Sequence, residues 1–176
     1  MLILEPEKAE CSPPSEGLTI LYAGDGTLND SAGICPLDRH GNVTFAPGKV
    51  GQAFFFNGDN SFLATQWTGD YEFGSQDATI TLYVKFTELQ GERTLVSRLS
   101  EKDAGWRLAK SPDDHIEFRK AGSTGVPNVV KSETGVHENT WYHVVVTKQW
   151  PARRDLRERP SPGHQRICGY VAIHTR

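Results

Sequence analysis

Hydrophobic residues recur at alternate positions in several short runs, most clearly from Ala78 to Phe86, where Ile80, Leu82, Val84 and Phe86 share one parity and Thr79, Thr81, Tyr83 and Lys85 the other. A repeat of two is that of a strand whose faces meet different surroundings, so this run predicts a half-buried strand. In Trp141 to Lys148, Tyr142, Val144 and Val146 alternate with His143, Val145 and Thr147. In His115 to Lys120, Ile116 and Phe118 alternate with His115, Glu117 and Arg119, which places Glu117 on the solvent side. Further strands are expected at Leu18 to Ala23, Thr94 to Leu99 and Gly105 to Lys110, with shorter candidates at Phe62 to Ala64 and Asn128 to Lys131. The segments between them are rich in Gly, Asp, Asn and Ser, and no amphipathic helix is read anywhere. In Ala46 to Gly58, Pro47 and Gly48 predict a reversal, with Gly48 accepting positive φ; the aromatic run Gln52 to Phe56 follows and Asn57-Gly58 ends it. Many short strands spaced by turn residues predict an all-β fold, a sandwich or a barrel, with one face of each sheet in water.

Length and composition narrow this picture. The 176 residues suit one domain, with 37 % hydrophobic and 23 % charged residues. No apolar run has the length of a membrane helix, so no membrane insertion is expected. A formal charge of −3 offers no overall attraction for nucleic acid. The opening MLILEPEKAE lacks the basic start and long apolar stretch of a signal peptide, so either the protein stays in the cytoplasm or, on the preferred reading, it is a piece of a longer secreted chain. Residues 1–16, with Pro6, Pro13 and Pro14, read as a linker. The last 28 residues differ from the rest: six Arg, no Lys and two acidic residues give them a net charge of +4, against −7 for the first 148. Residues 149–176 are therefore read as an atypical Arg-rich tail. A reading-frame change or truncation after about Lys148 is one expectation, and a variant with a basic tail is the other. Cys11 and Cys35 flank the first expected strand and would bridge in an oxidising compartment, leaving Cys168 odd; unpaired cysteines are the alternative.

Several elements occur in an order and spacing that resemble laminin G-like domains, the concanavalin A-like jelly rolls, over Gly17 to Lys148. They are Leu18 to Ala23 with the loop Gly24 to Gly33, the segment Ala46 to Gly58, Ala78 to Phe86, Leu95-Val96-Ser97-Arg98, Gly105-Trp106-Arg107-Leu108 and Trp141 to Val146. The resemblance implies a jelly-roll β-sandwich, here with its C-terminal strands missing or atypical, because the Arg153 to Pro160 stretch has no alternating run ending in a Gly turn. It also implies an extracellular or cell-surface setting, glycan or protein ligands, and a bound calcium ion in many members.

Candidate chemistry follows from loops and exposed aromatics. Calcium takes six to eight oxygen ligands, and two loops are dense in them: Asp25, Asn29 and Asp30 in the first, Asn57, Asp59 and Asn60 in the second. The candidate metal ligands are Asp25, Asp30, Asn57 and Asp59; the alternative is that Asp and Asn stand there because turns favour them. Trp67 and Tyr71, in the polar loop Gln66 to Asp77, are the candidate sugar-stacking residues. Trp106 and Trp141 are expected to pack, and His143 to lie at the surface. No Glu-x-Asp-x-x-Glu, Gly-x-Ser-x-Gly, Cys-x-x-Cys or His-Glu-x-x-His pattern occurs, which argues against glycoside hydrolysis, serine catalysis and zinc. The expected function is a non-catalytic recognition module for carbohydrate or protein, part of a larger extracellular protein. A structural or adhesion spacer without a ligand site is the alternative, and a glycoside hydrolase of the same fold a minor one.

Overall fold

Alternation becomes antiparallel pairing in the computed structural model, which describes residues 16–33, 35–65, 77–99, 105–120, 128–148 and 171–174. No helix occurs among the described residues, so none there is long and apolar enough to cross a membrane. Backbone contacts divide the chain into two compact units, Met1–Asp70 and Tyr71–Arg176.

The first unit holds β1 (Asp38–His40), β2 (Val43–Pro47), β3 (Gln52–Phe56) and β4 (Phe62–Ala64), joined as two ribbons, β1 with β4 and β2 with β3. The reversal expected at Pro47-Gly48 closes β2 onto β3, with the Gly48 N–H donating to the Gly51 carbonyl at 2.9 Å. Gly51, not Gly48, takes the positive φ, at 58°. Gly48 is required for a different reason: a Cβ there would stand 2.6 Å from the Gln52 carbonyl oxygen. The strand expected at Leu18 to Ala23 does not form. Its central residue is satisfied locally instead, because the Leu21 N–H donates to Asp30 Oδ1 at 2.9 Å and the Leu21 carbonyl accepts from the Ser31 N–H at 2.8 Å. With both backbone groups engaged by the following loop, Leu21 has nothing left for a ladder.

The second unit contains β5 (Ala78–Lys85), β6 (Arg93–Leu99), β7 (Gly105–Lys110), β8 (His115–Lys120), β9 (Asn128–Gly135), β10 (Trp141–Lys148) and β11 (Val171–His174). They form two antiparallel sheets, ordered β11-β10-β5 and β6-β7-β8-β9. Tyr142, Val144 and Val146 from the first sheet, with Phe86 just past the end of β5, share one core with Trp106, Leu108, Ile116 and Phe118 from the second, and Ile80, Leu82 and Val84 pack against it. The period-two runs thus bury the parity they predict. Full burial of one such aliphatic side chain contributes about 1.5–3 kcal/mol. The Arg-rich tail, where the C-terminal strands are expected to be missing or atypical, adds β11, which pairs with β10 from Val146↔Val171 to His143↔His174. Val171, Ala172 and Ile173 make a short apolar run that the tail's charge obscures.

Lys110 ends the inward parity of β7 and is fully buried, yet its Nζ reaches Asp114 Oδ1 at 2.6 Å and also donates to the Leu89 carbonyl. The β7–β8 turn supplies that carboxylate, because Asp114 takes φ 62° while the Ser111 N–H donates to the His115 carbonyl at 2.8 Å. In β6 a bulge between Thr94 and Val96 leaves Leu95 without a partner on β7.

Candidate functional site

The parity of β5 and β10 that avoids the core faces outward: Thr79, Thr81, Tyr83 and Lys85 on one strand, Trp141, His143, Val145 and Thr147 on the other. Register brings them together in pairs, Trp141↔Lys85, His143↔Tyr83 and Val145↔Thr81. Directly opposed residues share a face with Cβ atoms about 5 Å apart, close enough for rings to meet. The Tyr83 and His143 rings stack at 4.6 Å between centroids, 18° from parallel. His143 Nε2 lies 2.8 Å from Thr81 Oγ1, a hydrogen bond in which either group donates according to the imidazole tautomer. One position along, the Lys85 ammonium sits 5.2 Å from the centre of the Trp141 ring. Tyr83 remains 52 % exposed, so one aromatic face is braced by His143 while the side chain stays open to water. A rigid ring flanked by a hydroxyl, an imidazole and an ammonium suits a flat, hydroxylated ligand. The polar parity of these two strands is visible in the sequence, but the stack is not, because it depends on which residue of β5 faces which residue of β10.

The four-stranded sheet uses its polar side differently. Glu117, expected at the solvent side, is buried at 7 % exposure and bonded to the Arg119 side chain. That hydrogen bond raises the Arg119 pKa. Two neighbouring strands flank Glu117, opposite Ala109 and Lys131, and the charge is tolerated because it is paired. Arg107 Nη1 meets Glu92 Oε1 at 2.7 Å. At the β7–β8 turn the Asp113 carboxylate accepts from Lys131 and, at 2.6 Å, from Ser111 Oγ. These bonds, the Lys131 one foremost, hold its pKa well below the ordinary carboxylate range. Lys148 at the end of β10 is buried, and burial pushes its pKa down, with Lys120 adding to the effect.

Trp67 and Tyr71 lie outside the described residues, as do Trp150, Cys11 and Cys168. Cys35 is half-buried and forms no disulfide; its carbonyl accepts from the Tyr22 hydroxyl at 2.8 Å. Trp106 is in the core, stacked on Phe118 at 6.0 Å, and Trp141 packs at the surface under Lys85. The four calcium candidates fall on two loops. Asp25 lies between Gly24 and Gly26, whose backbones approach Ala53 and Gln52 at the start of β3, whereas Asn57 and Asp59 follow its last residue. Five strand residues, about 16 Å, separate those ends. Asp30 Oδ1 accepts from the N–H groups of Leu21 and Ala32, Asn57 Oδ1 from the Asp59 N–H and Ser61 Oγ, and Asp25 Oδ1 from Thr27 Oγ1. This placement does not fit one ion shared by all four residues. Among the described residues no three His, Cys, Asp or Glu side chains gather as a metal site.

Residues 57–154 match the Laminin_G_3 family, described as the concanavalin A-like lectin/glucanases superfamily. No curated protein matches the sequence. Among solved structures, the binding domain of Paraclostridial Mosquitocidal Protein 1 superimposes with a TM-score of 0.61 at 18 % identity, covering 74 % of this chain and 35 % of that one. The Botulinum Neurotoxin serotype G binding domain gives 0.49 at 18 % identity, covering 68 % of this chain and 32 % of its own. The chain therefore spans about a third of the length of either, and at such identity the first likeness is one of fold. With more than half of its length matched, the chain belongs to the Laminin_G_3 family of concanavalin A-like domains.

Proposed function

We propose that the chain is a non-catalytic recognition module that binds carbohydrate through the outward face of β5 and β10, within a larger extracellular protein. The observation that carries this reading is the exposed Tyr83 ring, braced by His143 and bordered by Thr81 and Lys85. Preordering matters because a ring already held in place loses little freedom when a sugar stacks on it. Family membership in a lectin and glucanase superfamily supports the ligand class, and the mosquitocidal protein's domain, named as a binding domain, supports the module's role. Against catalysis stands the sequence, which lacks paired carboxylates at glycosidase spacing, and Glu117, the nearest strand carboxylate to such a pattern, is committed to Arg119.

Trp67 and Tyr71 belong to the same proposal as a second stacking pair. A glycan array probed with the full chain, and with Tyr83→Ala and Trp67→Ala/Tyr71→Ala variants, tests both surfaces. Binding abolished by Tyr83→Ala supports the sheet-face site. Binding abolished only by the loop variant moves the site to Trp67 and Tyr71, and silence across the array favours a spacer or adhesion domain with no sugar site. Binding to an immobilised extracellular protein alone would replace carbohydrate with protein as the ligand.

A further inference from the structure

The face formed by β5 and β10 is electrically one-sided. Its eight outward positions hold Lys85 and no carboxylate. On the four-stranded sheet the corresponding cations are matched: Arg107 by Glu92, Arg119 by Glu117, Lys131 by Asp113. Lys85 is exposed, and among the described residues its contact is the ring of Trp141, with no acid pairing its ammonium. Covering this face with a neutral sugar would strip water from the ammonium and return only the ring's partial negative charge. A ligand carboxylate would replace that water with a charge-assisted hydrogen bond. The spacing suits such a group, since Tyr83 and Lys85 are two residues apart on one face, about 7 Å along the strand, and the flexible lysine stem covers the remainder.

Resting on the reading of this face as a sugar site, we infer that its ligand is an acidic polysaccharide, a chain of hexuronate units in which one ring stacks on Tyr83 and its carboxylate pairs with Lys85. Thr81 and His143 then hydrogen-bond ring hydroxyls from the side away from the charge. Selectivity for acid over neutral sugar resides in Lys85, and affinity for the ring in Tyr83.

The test is a calorimetric titration of the full chain with trigalacturonate and, separately, with its methyl ester, which keeps shape and removes charge. The acid is expected to bind about tenfold or more tightly than the ester, the worth of one charged hydrogen bond, and to weaken with added salt while the ester does not. Lys85→Gln is expected to lose the tenfold preference for acid over ester; Tyr83→Ala is expected to lose binding of both. Equal affinity for acid and ester, or a Lys85→Gln variant that keeps its preference, overturns the acidic ligand and leaves sugar recognition standing. Binding of neither, by a protein whose circular dichroism melt is cooperative, overturns the hexuronate ligand, and silence across the glycan array as well overturns the sugar site.

Discussion

Replacing Asp114 by Asn removes one charge from a buried pair without disturbing the turn that carries it, since Asn accepts the left-handed φ of 62° as Asp does. Lys110 is then left fully buried with neutral acceptors alone, the Leu89 carbonyl and the Asn amide oxygen, and no opposing charge. Breaking a buried pair at one end costs about 3–5 kcal/mol. The Asp114 side chain is 43 % exposed, however, so water already screens the pair and also reaches the space the charge vacates. Discounting by roughly half gives a loss of about 2 kcal/mol for Asp114→Asn. Lys110→Met behaves differently: it takes the ammonium and its desolvation away together, leaves Asp114 able to hydrate, and deprives the Leu89 carbonyl of a donor, a cost of about 1 kcal/mol. Urea unfolding of parent, both single variants and the double, at neutral pH and with unchanged m-values, measures these differences. In the double variant the loss should match Lys110→Met alone, because without the lysine no buried charge depends on the turn. Asp114→Asn as stable as the parent, or Lys110→Met costing more than Asp114→Asn, would refute the account of an ammonium kept in the core by its carboxylate.

Leu108→Ala should cost about 2–5 kcal/mol in the same assay, because Leu108 is fully buried where the two sheets of the second unit meet; a loss below about 1 kcal/mol would mean the core collapses around the gap. Asp113 has a folded-state pKa below its unfolded one, so its contribution is complete above about pH 4 and is lost as pH falls further. Asp113→Asn should therefore flatten the acid limb of the stability profile, and an identical limb in variant and parent would contradict the Lys131 contact. Gly41→Ala should destabilise the first unit by more than about 1 kcal/mol, since φ is +66° and a Cβ would collide with the Asn60 carbonyl oxygen; limited proteolysis should show it as faster cleavage within residues 38–64, and unchanged cleavage would contradict the close approach. Calcium titration with a chelator control should give neither stoichiometric heat nor a shift in Tm, because the four candidate residues are split between loops at the two ends of β3, and Asp25, Asp30 and Asn57 each already accept a bond within their own turn; a one-to-one heat signal would restore an ion to one of the loops.

Strands with two distinct faces were legible from alternation alone. β5, β7, β8 and β10 appear within a residue of their expected limits; burial follows the alternation strictly in β5 and β10, whereas in β7 and β8 Ala109 and Glu117 of the other parity are buried as well. β1 was not legible: Asp38, Arg39 and His40 are all exposed, and only pairing with Phe62 to Ala64 makes them a strand. β9 runs four residues past the expected Lys131, through Ser132, whose hydroxyl accepts from the buried Ile116 N–H, a role no hydropathy pattern signals. Leu18 to Ala23 fails in the opposite way, its pattern being right while its backbone groups are taken by Asp30 and Ser31. The site shows the same division. Tyr83 and His143 fall on polar faces in the sequence, but 60 residues separate them, and a one-residue slip in register would part the rings.

The unmatched residue in β6 sets which side chains reach the interior beyond it. Before it, Arg93 and Leu95 are the half-buried positions; after it, Arg98 is, while Val96 and Ser97 both stay outside. Uninterrupted alternation over the same residues would carry the Ser97 hydroxyl inward in place of the Arg98 guanidinium opposite Trp106. Insertions and deletions here therefore have unequal effects: losing Leu95 would straighten the strand and bring Val96 inward while Arg98 keeps its place, whereas a second extra residue would turn everything after it inside out. A relative aligned to this chain by strand length alone would have the far half of β6 assigned to the wrong side of the sandwich.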